Sequence, residues 1–394
     1  MPIAEAQRLI LEHVRPLPAE PIALGEAAGR VLAEPAPAVV DLPPFPSSAM
    51  DGYALRAADT PGALEVVARI AAGLPAPRAL EPGEAMGIAT GGVVPDGADA
   101  VIPIEYVVVR DNAVEIPEAV EQGANVRPQG GDVRAGNSVV EPGLLLTPAR
   151  VGALAAAGVA EVRCARRPVA AVVPTGTELR GPGEPLAPGQ VYEANGVILA
   201  AQLGGSGASV ELLAAVGDDE EAHRAALERA LDADVVVTSG GVSVGPHDLV
   251  RRVERELGVE EVFWRVAVKP GKPIAFAVRG ETLVFGLPGN PVSALVGFEL
   301  FVRPAIRALQ GVSEPLPRFE RGRLAGEARR RNPERDELVR TRIRRGEDGA
   351  ILEPLSGQES HMIARAAAAD GLLLVPRGEG EIAVGASVDY LRLG

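Results

Sequence analysis

Of the 39 basic side chains in this 394-residue chain, only two are lysines, Lys269 and Lys272. Both stand in "VKPGKPIAF", three positions apart, and each precedes a proline. An ammonium is a compact point charge that fits beside phosphate or another small oxyanion where a planar guanidinium fork does not. The proline after each lysine biases it toward extended backbone at a turn, which exposes the charge. Arginine use elsewhere can be compositional. Two lysines within one "KPGKP" point to an anion.

Three glycine-rich turns offer the same chemistry: "VVPTGTEL" (172–179), "VVVTSGGVSVGPHD" (235–248) and "VFGLPGNPVSALV" (284–296). The second sets Ser239, Gly240, Gly241, Ser243 and Gly245 before a helix. The third carries Pro288 and Gly289, with Asn290 as helix N-cap and Pro291 in the first turn. Such turns let backbone N–H groups approach an anion closely. Neither GxGxxG at a strand–helix junction nor GxxxxGK[ST] is present, so no standard nucleotide fingerprint applies. Singly, each turn is explained by a tight bend; three at one sheet edge beside the lysines make a site. Carboxylates stand near them. Asp248 closes the second turn, Asp218 and Asp219 open "DDEEAHRAALERALD", and Glu178 follows "PTGT". Helix capping explains Asp218 and Asp219 as well as metal binding does. The single cysteine, Cys164, allows no intrachain disulfide or thiolate cluster, and His13, His223, His247 and His361 lack ligand spacing. A metal here would be a hard cation held by carboxylates and phosphates, as magnesium is.

The elements that must position these groups follow from period and punctuation. Residues 3–14 repeat apolar positions at helical spacing behind Pro2, and "LTPARVGALAAAGV" reads as a helix with Thr147 as N-cap and Gly158 as stop. Between them, residues 16–62 are rich in proline, and short β-like runs ("LEVVARI", "AVIPIEYVVV", "AVEI", "SVVE") suggest a small β domain. From "PVAAVVPTG" onward, strands alternate with helices for about 145 residues, which implies a three-layer α/β domain with a largely parallel sheet and ligands at its carboxyl edge. After about residue 315 the runs shorten into a second β domain or barrel. Net charge −14 argues against nucleic-acid binding. No apolar run reaches membrane-spanning length and no signal peptide is evident, so a soluble cytoplasmic protein is expected. The residues alone leave the reaction open.

The motifs together resemble those of the molybdopterin molybdenumtransferases of molybdenum cofactor biosynthesis, which include the C-terminal domain of gephyrin. "LPPFPSSAMDGYALR", "IATGGVVPDGADAVIPIE", "VRPQGGDVRAGN", "PTGTEL", "GQVYEANGVILAAQL", "TSGGVSVGPHD", "VKPGKPIAF", "GLPGNPVSALVGFELFVRP" and "SGQESHMIARAAAADGLLLVP" occur in the family's order. The resemblance implies a helical N-terminal region (1–40 with 142–166), an inserted β domain (41–141), an α/β molybdopterin-binding domain (167–312) and a C-terminal β-barrel (313–394).

It further implies a magnesium-dependent reaction of adenylylated molybdopterin with molybdate that inserts molybdenum at the dithiolene and releases AMP. Homodimers with composite active sites are implied, with the adenylating protein and molybdoenzymes as transient partners. By position, catalytic roles fall on Asp51, Thr90, Asp132, Glu178, Lys269 and Lys272. Binding falls on Asp218, Ser239, Gly240, Gly241, Ser243, Pro288, Gly289, Asn290 and Pro291, and metal ligation on Asp218 and Asp248. The sequence departs from the family's usual acidic or polar residues at Pro46, Ser47, Thr177 and Gly131. The alternatives are a molybdopterin adenylyltransferase, which would be little more than the α/β unit, or a non-catalytic molybdopterin carrier or scaffold.

Overall fold

The computed structural model describes residues 1–71, 73–241, 249–330 and 332–393. Its centre is a six-stranded sheet of β1 (Val169–Pro174), β2 (Ser209–Leu212), β3 (Val235–Ser239), β4 (Glu260–Trp264), β5 (Ala275–Arg279) and β6 (Thr282–Leu287), in the order β2-β1-β3-β6-β5-β4. The first four are mutually parallel; β5 and β4 close the edge antiparallel. Alternate residues serve opposite faces, as the strand period of two requires. Ala170, Val172, Val235, Val237, Phe285 and Leu287 enter one core, and Ala171, Val173, Val236 and Val284 the other. Helix α3 (Asn195–Gly205) and the run α6 (Pro291–Gly297), a π-helical turn (Phe298–Val302) and α7 (Arg303–Leu309) cover the first face. Helix α4 (Glu220–Ala230), with α5 (Leu249–Glu256) beside it, covers the second.

The first helix, α1 (Ile3–Glu12), belongs to this core. Its apolar stripe (Ala6, Ile10 and then Val14) is buried with Leu199, Phe298 and Leu309, because the stripe is wide enough to need a large apolar partner. The region where both ends of the N-terminal half meet holds one α-helix, α2 (Pro148–Ala156), a 3₁₀ turn (Leu24–Glu26) and two short antiparallel ladders, 19–23 with 161–165 and 36–37 with 138–140. Thr147 caps α2 by accepting from the Arg150 amide, and Gly158 follows at φ +81°. "SVVE" therefore pairs with the proline-rich segment and not with the inserted sheet.

The inserted sheet runs in the order 100–103, 52–55, 84–88, 62–70, 113–116, 108–110 and buries both faces, with Tyr53 and Leu55 on one side and Ala54 on the other. Strand 52–55, four residues long, is too short for its period to announce it. Gly52 opens it because an added Cβ would lie 1.9 Å from the Ile102 carbonyl oxygen. At the C-terminal end, β7 (Glu320–Leu324), β8 (Asp336–Gly346), β9 (Gly349–Pro354), β10 (Gly371–Val375) and β11 (Ser387–Arg392) close a five-stranded barrel in the ring β8-β9-β7-β11-β10. Closure removes the sheet edges that so short a domain would expose. Val268–Lys269 adds to β8 as a short parallel strand, which ties the α/β domain to the barrel.

Candidate functional site

The carboxyl ends of β1, β3 and β6 gather three of the sequence's glycine turns around a cavity of about 550 Å³. Glu178, Asp218, Gly240, Gly241, Pro288, Gly289 and Asn290 line it, with Thr175, Gly176, His223 and Pro273. Gly240 has φ +96°, and a Cβ there would lie 2.6 Å from the Thr175 carbonyl oxygen. At Gly241 a Cβ would meet Val250 at 2.5 Å, while Gly289 packs against the Gly240 Cα. The turns are thus bare backbone pressed together at the strand ends, the arrangement that presents N–H groups to an anion.

A residue outside the expected set holds them in place. Asn195, buried at the start of α3, donates its Nδ2 to the Ser239 hydroxyl (2.7 Å) and to the Gly289 carbonyl (2.8 Å). Thr175 adds a hydroxyl bond to the Ser239 carbonyl (3.1 Å). Ser239 is itself buried, so its side chain is a tie within the site's wall. Asn290 stands at the N-cap position of α6, yet its side chain makes no capping bond. The Val292 amide is satisfied by the Ser360 carbonyl of a barrel loop (3.1 Å), and Asn290 lines the cavity. Pro291 occupies the first turn as expected.

The aspartate pair divides. Asp219 caps α4 by accepting from the Ala222 amide at 2.8 Å, and Asp218 faces the cavity. His223, one turn into α4, is buried in the wall, and its Nδ1 has no hydrogen-bond partner among the described residues. Burial pushes the imidazole below its ordinary value, against the pull of Asp218, a backbone bond with Gly217 and Asp219.

The lysines also divide. Lys272 is exposed one residue before Pro273, which lines the cavity. Lys269 pairs with Glu337 of β8 at 2.9 Å and lines a different cavity of about 320 Å³ against the barrel, with Arg329, Gln358 and Glu359. In the inserted domain, Asp51 Oδ1 accepts from the Thr90 amide at 2.7 Å, which joins those two exposed residues. Asp132 lies on a neighbouring exposed loop, its amide donating to the Leu42 carbonyl. No described residue of 41–141 lines the α/β cavity. Ser243 and Asp248 lie outside the described residues.

No group of three His, Cys, Asp or Glu side chains suited to a metal occurs among the described residues. Glu178 and Asp218 on one cavity wall fit the mode in which magnesium is held by one or two carboxylates and completed by substrate phosphates. Two departures also have local explanations. Ser47 is buried in a ladder with Arg127, and a Cβ at Gly131 would sit 3.0 Å from the Pro128 ring. Asn195 stands within "EANGVIL", but its partners are 44 and 94 residues away and nothing local announces them. His223 reads locally as one more residue of an amphipathic helix.

Comparison with known proteins matches this geometry along the whole chain. Residues 1–158 match the MoeA N-terminal region (domain I and II), 171–308 a probable molybdopterin binding domain, and 323–393 the MoeA C-terminal region (domain IV). The chain is 38% identical to molybdopterin molybdenumtransferase 2 of Mycobacterium tuberculosis over 97% of both chains. It is 30% identical to the molybdopterin molybdenumtransferase of Staphylococcus aureus, covering 99% of this chain and 95% of that one. A molybdopterin biosynthesis MoeA protein from Pyrococcus horikoshii superimposes with TM-score 0.86 at 28% identity over 100% of both chains. No helix among the described residues is long and apolar enough to cross a membrane. With its family domains in order and relatives at this identity along nearly its full length, the chain belongs to the molybdopterin molybdenumtransferase family.

Proposed function

We propose that the protein inserts molybdenum into the dithiolene of adenylylated molybdopterin, taking molybdate as the second substrate and releasing AMP, in the cytoplasm. The observation that carries this reading is the cavity at the carboxyl edge of the α/β sheet, with its glycine turns, two carboxylates and adjoining Lys272. In this reading the backbone at Gly240, Gly241 and Gly289 cradles the phosphates, and Asn290 and Pro288 shape the pocket beside them. Asn195 and Ser239 keep the turns in register, so the cradle needs no rearrangement when substrate arrives. Glu178 and Asp218 would hold magnesium, which when bound would supply positive charge beside the substrate's phosphate oxygens. Lys272 holds an oxyanion at the cavity mouth. Lys269, at the barrel junction, contributes to the oxyanion path from its own cavity.

Asp51, Thr90 and Asp132 act in this scheme from a second copy of the chain, whose inserted domain completes the site in a homodimer. The adenylating protein that supplies the substrate and the apoenzymes that accept the product are transient partners. The test is AMP release from adenylylated molybdopterin with magnesium and molybdate, or tungstate in parallel. AMP released only when the oxyanion is present, with the metal in the product, is the expected result. Tight binding of adenylylated molybdopterin with no AMP release would leave a carrier and overturn the transferase reading.

A further inference from the structure

A second cavity, of about 580 Å³, opens where the N-terminal region, the α/β domain and the barrel meet. Arg167, Arg303, Arg307, Arg318 and Arg392 line it against a single carboxylate, Glu299. That is unexpected in a chain of net charge −14. Two of the arginines are accounted for. Arg303 grips Glu299 side-on through Nε and Nη2 (2.6 and 2.7 Å) and donates Nη1 to the Ser206 hydroxyl, and Arg392 approaches Glu320 at 3.3 Å. Arg167, Arg307 and Arg318 make no ion pair with any described residue, although they surround the same space.

Arg307 is the most costly of these. It stands four residues after Arg303 on α7, so the two guanidinium groups share a helix face, an arrangement of like charges that opposes folding. Arg307 is also half-buried. Burial and the neighbouring Arg303 both push it below its ordinary value, with only Glu314 pulling the other way. Such a cluster is stabilised by an anion placed between its members. Gly204 and Gly205 line the cavity with bare backbone, where an added Cβ would meet nothing within 4 Å. The π-helical turn that carries Glu299 immediately precedes Arg303, and such turns are frequent at functional sites.

We propose that this cavity binds a phosphate-bearing small anion, at a site separate from the transferase cavity. The separation is structural. Asn195 ties the transferase turns at the first residue of α3, whereas Gly204 and Gly205 end the same helix, about 15 Å away at 1.5 Å per residue. The cavity's volume lies within the range of small-molecule sites, roughly 300–1,000 Å³, and suits a molecule larger than a lone phosphate. Because its walls come from three domains, the ligand bridges them.

The test is calorimetric titration of the whole protein with inorganic pyrophosphate at fixed low ionic strength. Binding should weaken tenfold or more in Arg307→Gln and severalfold in Arg318→Gln, and should persist in Lys272→Gln. Arg318 is exposed, so its variant decides the matter even if Arg307→Gln fails to fold. Binding that is absent from the native protein, unchanged in the arginine variants, or lost in Lys272→Gln alone would each overturn the proposal.

Discussion

Lys269 and Lys272 look equivalent in the sequence, and the structure separates their surroundings. Lys269 keeps a carboxylate partner that is itself well buried, so its charge matters more than its shape. Lys272 is exposed between Gly271 at φ +106° and Pro273 of the cavity wall, and a wide planar fork there would meet an oxyanion differently from a compact ammonium. Lys269→Arg should leave AMP release and melting temperature nearly unchanged. Lys272→Arg should weaken use of molybdate or adenylylated molybdopterin by about 1–3 kcal/mol, the scale of a lost charge-assisted hydrogen bond. The measurement is KM for each substrate in both variants; the opposite ranking would remove Lys272 from the site. Asp51 poses a comparable choice, because its carboxylate holds the Thr90 amide whatever else it does. Asp51→Asn keeps an acceptor oxygen there and removes the charge. Loss of turnover with an unaltered melting temperature is expected, and normal turnover would reduce Asp51 to a loop fastener.

At the scale of elements, the site is a junction of three strand ends, and its weakest member should be the tie across them. Asn195→Ala takes the donor from the exposed Gly289 carbonyl, which water can replace, and from the buried Ser239 hydroxyl, a loss of about 1–3 kcal/mol for an unsatisfied buried group. Denaturant unfolding should register it, and full stability would mean that other groups satisfy both partners. This tie was illegible in the sequence although the turns it joins were plain. Glycine and proline punctuation is local, so the turns, the α2 cap and the Pro291 start could be read directly. A bond between residues 94 apart exists only once the sheet order brings their strands together.

The start of β3 carries a second tie of this kind. Asp234 accepts from both arms of Arg166 (2.7 Å each) and from the Val169 amide (2.8 Å). Burial pushes its carboxyl up, but the Arg166 fork, the amide and the Arg166 charge together hold it below the ordinary value. A depressed folded-state pKa gives stability that is present above the ordinary value of 3.8 and lost as pH falls below it. Asp234→Asn should therefore lower stability at pH 7 and flatten the loss of stability on acidification. A variant with the native acid slope would assign that slope to other carboxylates.

At the scale of the whole molecule, the linear order of segments and their spatial order disagree in one instructive place. The first helix leaves its sequence neighbours and completes the core of the α/β domain, while residues 36–37 and 138–140 close the neck of the insertion. Apolar periodicity announced that α1 has a buried face; it could not say which core receives it. The insertion projects from that neck with Asp51 and Thr90 joined on its surface, and none of its described residues reaches the cavity of its own chain. If those residues and Lys272 belong to one reaction, a second copy must bring them together. Asp51→Ala and Lys272→Ala should then each abolish turnover alone, yet complement one another when unfolded together and reassembled. In a two-fold dimer, random pairing makes half the assemblies mixed, and each mixed dimer regains one intact site of its two, so about a quarter of the native rate should return. Sedimentation of the native protein supplies the companion measurement. A fully active monomer, or a reassembled mixture as inactive as its parents, would place the inserted domain outside the catalytic unit.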